Sequence, residues 1–301
     1  MKIFLRYVAA LFLAAICSHV HAAFNVLATV PEWGALAQEL GGDKVKVSTV
    51  TTALQDPHHV EARPSLIARA RGADLVVATG AELEVGWLPL VLQQAGNSRV
   101  QPGTPGYFEA TSTVSMLGRP QRLDRAEGDV HPFGDPHIQT DPRNITKVAE
   151  ALTARFAQLD GANAVYYRDR LKAFVDRWNA AIARWQQQAA PLKGVPVVVQ
   201  HKAFTYLIAW LGMREVAALE PKPGIDPTTA HLSEVLATLQ REPAKMVLRA
   251  AYQNDQASQW LAQRTKINVV TLPFTVGGTE GAKDLFSFYD DTIARLLKGA
   301  A

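Results

Sequence analysis

Residues 162–190 read ANAVYYRDRLKAFVDRWNAAIARWQQQAA, a stretch without glycine or proline. Apolar side chains recur at Val165, Leu171, Phe174, Val175, Trp178, Ile182 and Trp185, the spacing of a helix with one buried face. At ~1.5 Å per residue such a helix is about 40 Å long, enough to run along a whole domain. Uncapped helices of this length are rare within one ordinary globular domain. The stretch is therefore read as a backbone helix joining two lobes.

On either side, short apolar runs alternate with amphipathic patterns, the signature of α/β architecture with largely parallel sheets. Strands are expected at 24–30, 45–51 and 74–80, with helices at 31–40, 65–71, 87–94 and 144–159. Beyond the long helix, 195–200 reads as a strand, and 204–211 and 232–239 as helices. Residues 116–134 are rich in Arg, Asp, Gly and Pro and lack a period, which predicts a mobile surface loop. An internal repeat supports two lobes. At an offset of about 170 residues, 26–30 falls on 196–200, Gly42 on Gly212, and Asp56-Pro57 on Asp226-Pro227. One residue out of step, Ala73-Asp-Leu-Val-Val resembles Ala244-Lys-Met-Val-Leu. The expected fold is α/β: two similar lobes with mainly parallel sheets, joined by one long rigid helix, with a ligand site in the cleft between them. The boundaries are 1–22 for a signal peptide, 23–160 for the first lobe, 161–190 for the linking helix and 191–301 for the second lobe.

The export reading rests on Lys2 and Arg6, the apolar run 7–17, and the small residues that follow His21, with cleavage after Ala22. The run is too short to span a bilayer as a helix. Lipidation of Cys17 is disfavoured because Ile16, not a small residue, precedes it. Cys17 is the only cysteine, so the mature chain has no thiolate zinc site, thiol nucleophile or iron–sulfur ligation. About 280 residues can bury a large core without disulfides. A net charge of +3 without a Lys/Arg block leaves no nucleic-acid footprint.

Any metal site must then use histidine, carboxylate or water. The mature chain holds His58, His59, His131, His137, His201 and His231. His58 lies in Asp56-Pro57-His58-His59 after a strand, His137 in Asp135-Pro136-His137 before a helix, and His201 directly after the strand 195–200. In parallel α/β sheets the strand C-termini share one edge, where ligands sit. His58, His137 and His201 can therefore converge although distant in sequence. Neutral imidazoles on separate rigid elements suit zinc, and the neighbouring aspartates can orient the rings. His231, which begins a helix, is read as structural.

The segments around these histidines carry a resemblance. Asp56-Pro-His-His-Val-Glu-Ala-Arg-Pro-Ser65, Asp135-Pro-His-Ile-Gln-Thr-Asp-Pro-Arg-Asn144 and His201-Lys-Ala-Phe-Thr-Tyr-Leu-Ile-Ala-Trp-Leu-Gly212 resemble, in order, three ligand segments of the zinc/manganese solute-binding proteins that serve ABC importers. The resemblance runs from about Phe24 to Leu297. It implies a periplasmic, non-enzymatic, monomeric protein that captures a divalent transition metal and delivers it to an ABC permease. It also selects His58 over His59.

The fourth ligand departs from that family's pattern. A carboxylate is expected after the last strand, yet Val276 stands close to that place. Glu280, Asp284, Glu61, His131 or water are the alternatives, and Asp284 is also placed to cap the helix from Leu285. Three imidazoles and no acid favour Zn2+ over Mn2+, although copper would also bind such a site. A mononuclear zinc hydrolase or lyase would use the same trio. Against it, the chain lacks a His-Glu-x-x-His pair and a Gly-x-Ser-x-Gly elbow. A receptor for an organic anion is the third class.

Overall fold

The computed structural model describes residues 23–120 and 131–301. The signal peptide 1–22, and residues 121–130 of the expected loop, lie outside the described residues. Nothing described is both long and apolar enough to cross a membrane as a helix.

Two four-stranded sheets make up the framework. The first contains β1 (Phe24–Ala28), β2 (Val45–Thr49), β3 (Leu75–Ala78) and β4 (Tyr107–Glu109) in the order β2-β1-β3-β4. The second contains β5 (Pro196–Val199), β6 (Arg214–Ala218), β7 (Met246–Ala250) and β8 (Asn268–Leu272) in the equivalent order β6-β5-β7-β8. All the pairings are parallel. Helices cover both faces of such sheets, so their central strands are buried throughout, as in Leu75-Val-Val-Ala78. The internal repeat is thus a repeat of topology. Val26 pairs with Leu75, and Val197 with Met246, one residue out of step from the offset that aligns Gly42 with Gly212. Those two glycines follow equivalent helices, α1 (Pro31–Gly41) and α6 (Thr205–Leu211), with φ of 54° and 65°.

The remaining helices are α2 (Pro64–Arg71), α3 (Leu88–Ala95), α4 (Pro142–Leu159), α5 (Ala164–Gln188), α7 (Thr229–Arg241), α8 (Gln256–Thr265) and α9 (Leu285–Ala300). α5 is the long helix of the opening stretch. It packs on α1 and α4 on the first-lobe side and on α9 on the second-lobe side. Its buried face is Tyr167, Phe174, Trp178, Ala181 and Trp185. Trp178 donates its indole N–H to the Pro142 carbonyl at 2.9 Å, while Trp185 donates to Asp290 at 2.6 Å. Trp178 also stacks on Phe174 and meets Tyr289 edge-on, with centroids 5.1 and 5.4 Å apart. One core therefore runs through both lobes, with a separate smaller cluster on the far side of each.

Candidate metal centre

The turn after β2 and the turn before α4 use the same device. In the first, Asp56 Oδ1 accepts the His58 backbone N–H at 3.0 Å and its ring Nδ1–H at 2.7 Å. In the second, Asp135 Oδ1 accepts the His137 backbone N–H at 2.9 Å and its Nδ1–H at 2.6 Å. The intervening prolines narrow the backbone to the conformation that lets one oxygen take both donors. Trp87 donates to the Pro57 carbonyl at 2.9 Å and holds the first turn against the sheet. The second is pinned by Tyr206 of α6, whose hydroxyl accepts the Leu117 N–H and donates to the Asp135 carbonyl, both at 3.0 Å. Gly134 is required there: its φ is 117°, and a Cβ would lie 2.6 Å from the Leu117 carbonyl oxygen.

His201 follows β5 and takes its orienting partner from the neighbouring strand. Its Nδ1–H reaches Glu220, just beyond β6, at 2.6 Å. The same Glu220 oxygen accepts the Gly224 N–H at 2.8 Å. The three carboxylates thus orient three rings through Nδ1, and in each neutral ring they select the tautomer whose Nε2 is free. The structure brings His58, His137 and His201 together, their nearest ring nitrogens within 4.8 Å of one another and all three residues buried. Four-coordinate zinc at 2.0–2.1 Å would separate its nitrogens by about 3.3 Å, so the rings need only draw inward slightly. His137 Nε2 is buried and has no hydrogen-bond partner among the described residues. A buried imidazole lone pair without a partner is free to take a metal ion.

His131 stands beside the trio. Its Nδ1 lies 3.1 Å from the Ala81 carbonyl, which only an N–H can satisfy, so its Nε2 is bare in the neutral ring. That Nε2 is 3.3 Å from the bare Nε2 of His58. Two lone pairs at this distance repel unless a proton or a metal ion lies between them. Burial, followed by the charges of His137 and His58, pushes His131 down to about 3, so a proton is a poor occupant there. Burial likewise holds His137 below the ordinary imidazole value despite Asp135. His201 is raised, because Glu220 outweighs the burial that would lower it. Burial raises Asp135 and Asp56, yet their histidine partners win, holding Asp135 below its usual range and Asp56 at about 2.

Two cavities meet at His137. One of about 510 Å³ opens beside His131, His137 and His201. The other, of about 20 Å³, lies between His137, Glu32, Gln139, Tyr252, Phe274 and Thr275. The other expected candidates lie elsewhere. Asp284 caps α9, accepting the Ser287 N–H at 2.8 Å. Glu61 pairs with Arg63 at the surface, and Glu280 and His59 are exposed. His231 binds the Ala218 carbonyl through Nε2 at 3.0 Å, a structural contact in the second lobe. Glu220 and Phe274 went unread in the sequence. Neither has a motif to mark it.

Comparison with known proteins follows the same line. The model of the family described as periplasmic component A of the zinc-uptake complex, ZnuA, matches residues 26–299. The zinc-binding lipoprotein AdcA of Streptococcus pneumoniae is 24% identical over 270 residues, covering 87% of this chain and 52% of AdcA. The chain thus spans about half the length of AdcA. The high-affinity zinc uptake system protein ZnuA of Bacillus subtilis is 21% identical, covering 85% of this chain and 79% of the relative. The manganese ABC transporter substrate-binding lipoprotein PsaA of S. pneumoniae is 20% identical, covering 88% and 84%. Among solved structures, a ZnuA crystal structure superposes with a TM-score of 0.77 at 20% identity, covering 93% of this chain and 100% of that one. The Cd-bound periplasmic metal-binding protein of Candidatus Liberibacter asiaticus gives 0.76 at 16% identity, covering 92% and 99%. These superpositions show the fold: two parallel-sheet α/β lobes linked by a long helix.

Proposed function

This chain belongs to the family of periplasmic zinc-uptake components, and we propose that it captures a divalent transition metal, Zn2+, outside the cytoplasm and passes it to an ABC permease. In this reading His58, His137 and His201 are ligands through Nε2, and His131 is the fourth donor. The observation that carries it is the anchoring of each ring at Nδ1, which leaves Nε2 as the donor atom turned to the site, with that of His137 orphaned in the protein interior. An all-nitrogen set suits zinc, whereas manganese prefers oxygen. The lobes are 23–160 and 191–301, with 161–190 between them, and one chain is the working unit. The signal peptide 1–22 would be removed on export.

The test is titration calorimetry on chelator-stripped protein, with metal analysis of protein purified without chelator. One zinc per chain is expected. His137→Ala should weaken binding by more than the 10–100-fold typical of losing an outer partner. Protein that carries no metal and gives no heat with zinc would overturn the reading.

A further inference from the structure

A buried carboxylate outside the metal centre lies under the turn that follows β3. Glu84 is 3% exposed. Its Oε1 accepts the Thr29 hydroxyl at 2.6 Å and the Thr79 backbone N–H at 2.7 Å, while its Oε2 accepts the Gly80 N–H at 3.1 Å. Thr29 and Thr79 stand just beyond β1 and β3. One side chain thus ties two strand ends to the start of the turn.

That turn is strained. Gly80, Ala81 and Glu82 have φ of 85°, 51° and 65°. Gly80 is required, because a Cβ there would meet the Thr111 hydroxyl oxygen at 2.5 Å. Ala81 and Glu82 carry side chains in the left-handed region, a conformation that persists only where surrounding contacts enforce it. The backbone bonds of the turn are long, with the Leu83 N–H 3.1 Å from the Gly80 carbonyl and the Val85 N–H 3.3 Å from that of Glu82. The Glu84 carboxylate closes the turn by reaching back to the N–H groups of Thr79 and Gly80.

What the turn delivers is one acceptor. His58, His137 and His201 each meet a carboxylate at Nδ1. His131 instead meets the Ala81 carbonyl at 3.1 Å, and its Nε2 faces that of His58. A backbone carbonyl points where its chain conformation sends it. The orientation of His131 therefore depends on whatever holds Ala81 at positive φ.

We propose that Glu84 is a positioning residue for the metal centre: it locks the strained turn 80–84 and so fixes the Ala81 carbonyl that orients His131. The inference rests on the reading of His131 as the fourth donor. Both oxygens of Glu84 accept a backbone N–H, so in Glu84→Gln whichever end becomes the amide nitrogen meets another donor. The turn loses its closure while the side chain keeps its size.

The experiment is a double-mutant cycle in zinc affinity, measured by competition with a chelating dye. Glu84→Gln should weaken binding by about 10-fold or more, the scale of losing an outer partner. In the His131→Ala background the same substitution should cost less than about 3-fold, because the ring it positions is gone. In zinc-loaded protein labelled with 15N-histidine, the His131 Nδ1–H signal should be lost to solvent exchange in Glu84→Gln while those of His137 and His201 persist. Thr29→Val removes one donor to Glu84 at nearly constant volume; should Glu84→Gln not fold, Thr29→Val replaces it in the cycle, with a several-fold loss that disappears in His131→Ala. Equal losses in both backgrounds, or no loss in the presence of His131, would overturn the inference and leave metal capture standing. A His131→Ala protein that binds zinc as the wild type does would overturn the fourth-donor reading itself.

Discussion

Glu32 offers a prediction whose size can be worked out. It lies in the first turn of α1, is 3% exposed, and accepts the Thr275 hydroxyl from the other lobe at 2.5 Å. Burial pushes its carboxyl from 4.5 up to about 7, the Thr275 hydrogen bond offsets only part of this, and the nearby Glu84 adds repulsion. The carboxyl is thus harder to ionise in the folded chain than in the unfolded one. Between about pH 4.5 and 7 the folded state binds more protons, so stability falls as pH rises and levels off above 7. The raised value corresponds to about 3 kcal/mol by pH 8. Glu32→Gln keeps an acceptor for Thr275 and does not ionise. Relative to wild type it should therefore gain stability progressively from pH 4.5 to 7, reaching about 3 kcal/mol above that. A constant offset from burying the extra amide donors would leave this slope intact. Urea unfolding of chelator-stripped protein at several pH values, followed by fluorescence and circular dichroism together, reads the difference directly. A pH-independent difference, or a wild type that gains on the variant as pH rises, would refute the reasoning.

Two further predictions concern the metal. Glu220→Ala should lower zinc affinity about 10–100-fold, because no acceptor then holds His201 through Nδ1; affinity equal to wild type in competition with a chelating dye would contradict that role. Zinc affinity should also rise with pH. His201, raised by Glu220, must lose a proton to bind, whereas His137 and His131 are already neutral at pH 7. Calorimetry in buffers of different ionisation enthalpy should find proton release on zinc binding that declines as pH rises and His201 loses its proton before metal arrives. Release that does not change with pH would contradict the assignment.

Much of this was legible in the residues, and what was not has physical reasons. Runs such as Leu75-Val-Val-Ala78 and Pro196-Val-Val-Val199 announce central strands because helices cover both their faces. Two edge strands, β4 and β6, do not. β4 has three residues, and β6 begins with exposed Arg214 and Glu215, so neither has the apolar run of its neighbours. Two of the three orienting carboxylates sit two residues before their histidines, within reach of local reading. The third, Glu220, lies nineteen residues from His201 and meets it only because β5 and β6 are adjacent. Nothing local to Glu32 shows that Thr275 comes across the cleft to bury it. The positive φ of Phe274 is imposed by its turn and by partners from the first lobe, and no residue preference points to it.

The two lobes do not stand in the relation of jaws on a hinge. Phe174, Trp178 and Trp185 of α5 pack with Tyr289 of α9 in a core common to both lobes, while Trp178 is tied to Pro142 of α4. Each such aromatic buries roughly 200 Å², so exposing one by rigid-body opening costs about 5 kcal/mol. Bending α5 instead would break hydrogen bonds within a helix that has no proline or glycine to localise a kink. The parts that hold the imidazoles have lighter anchorage. His58 is on a turn, and His131 is held through Ala81, itself at a strained φ of 51°. His137 and His201 are fixed to α4, α6 and β5, deep in the shared core. Under the proposed metal capture, loading is expected to move the His58 and His131 side toward His137 and His201, with the lobes holding their positions.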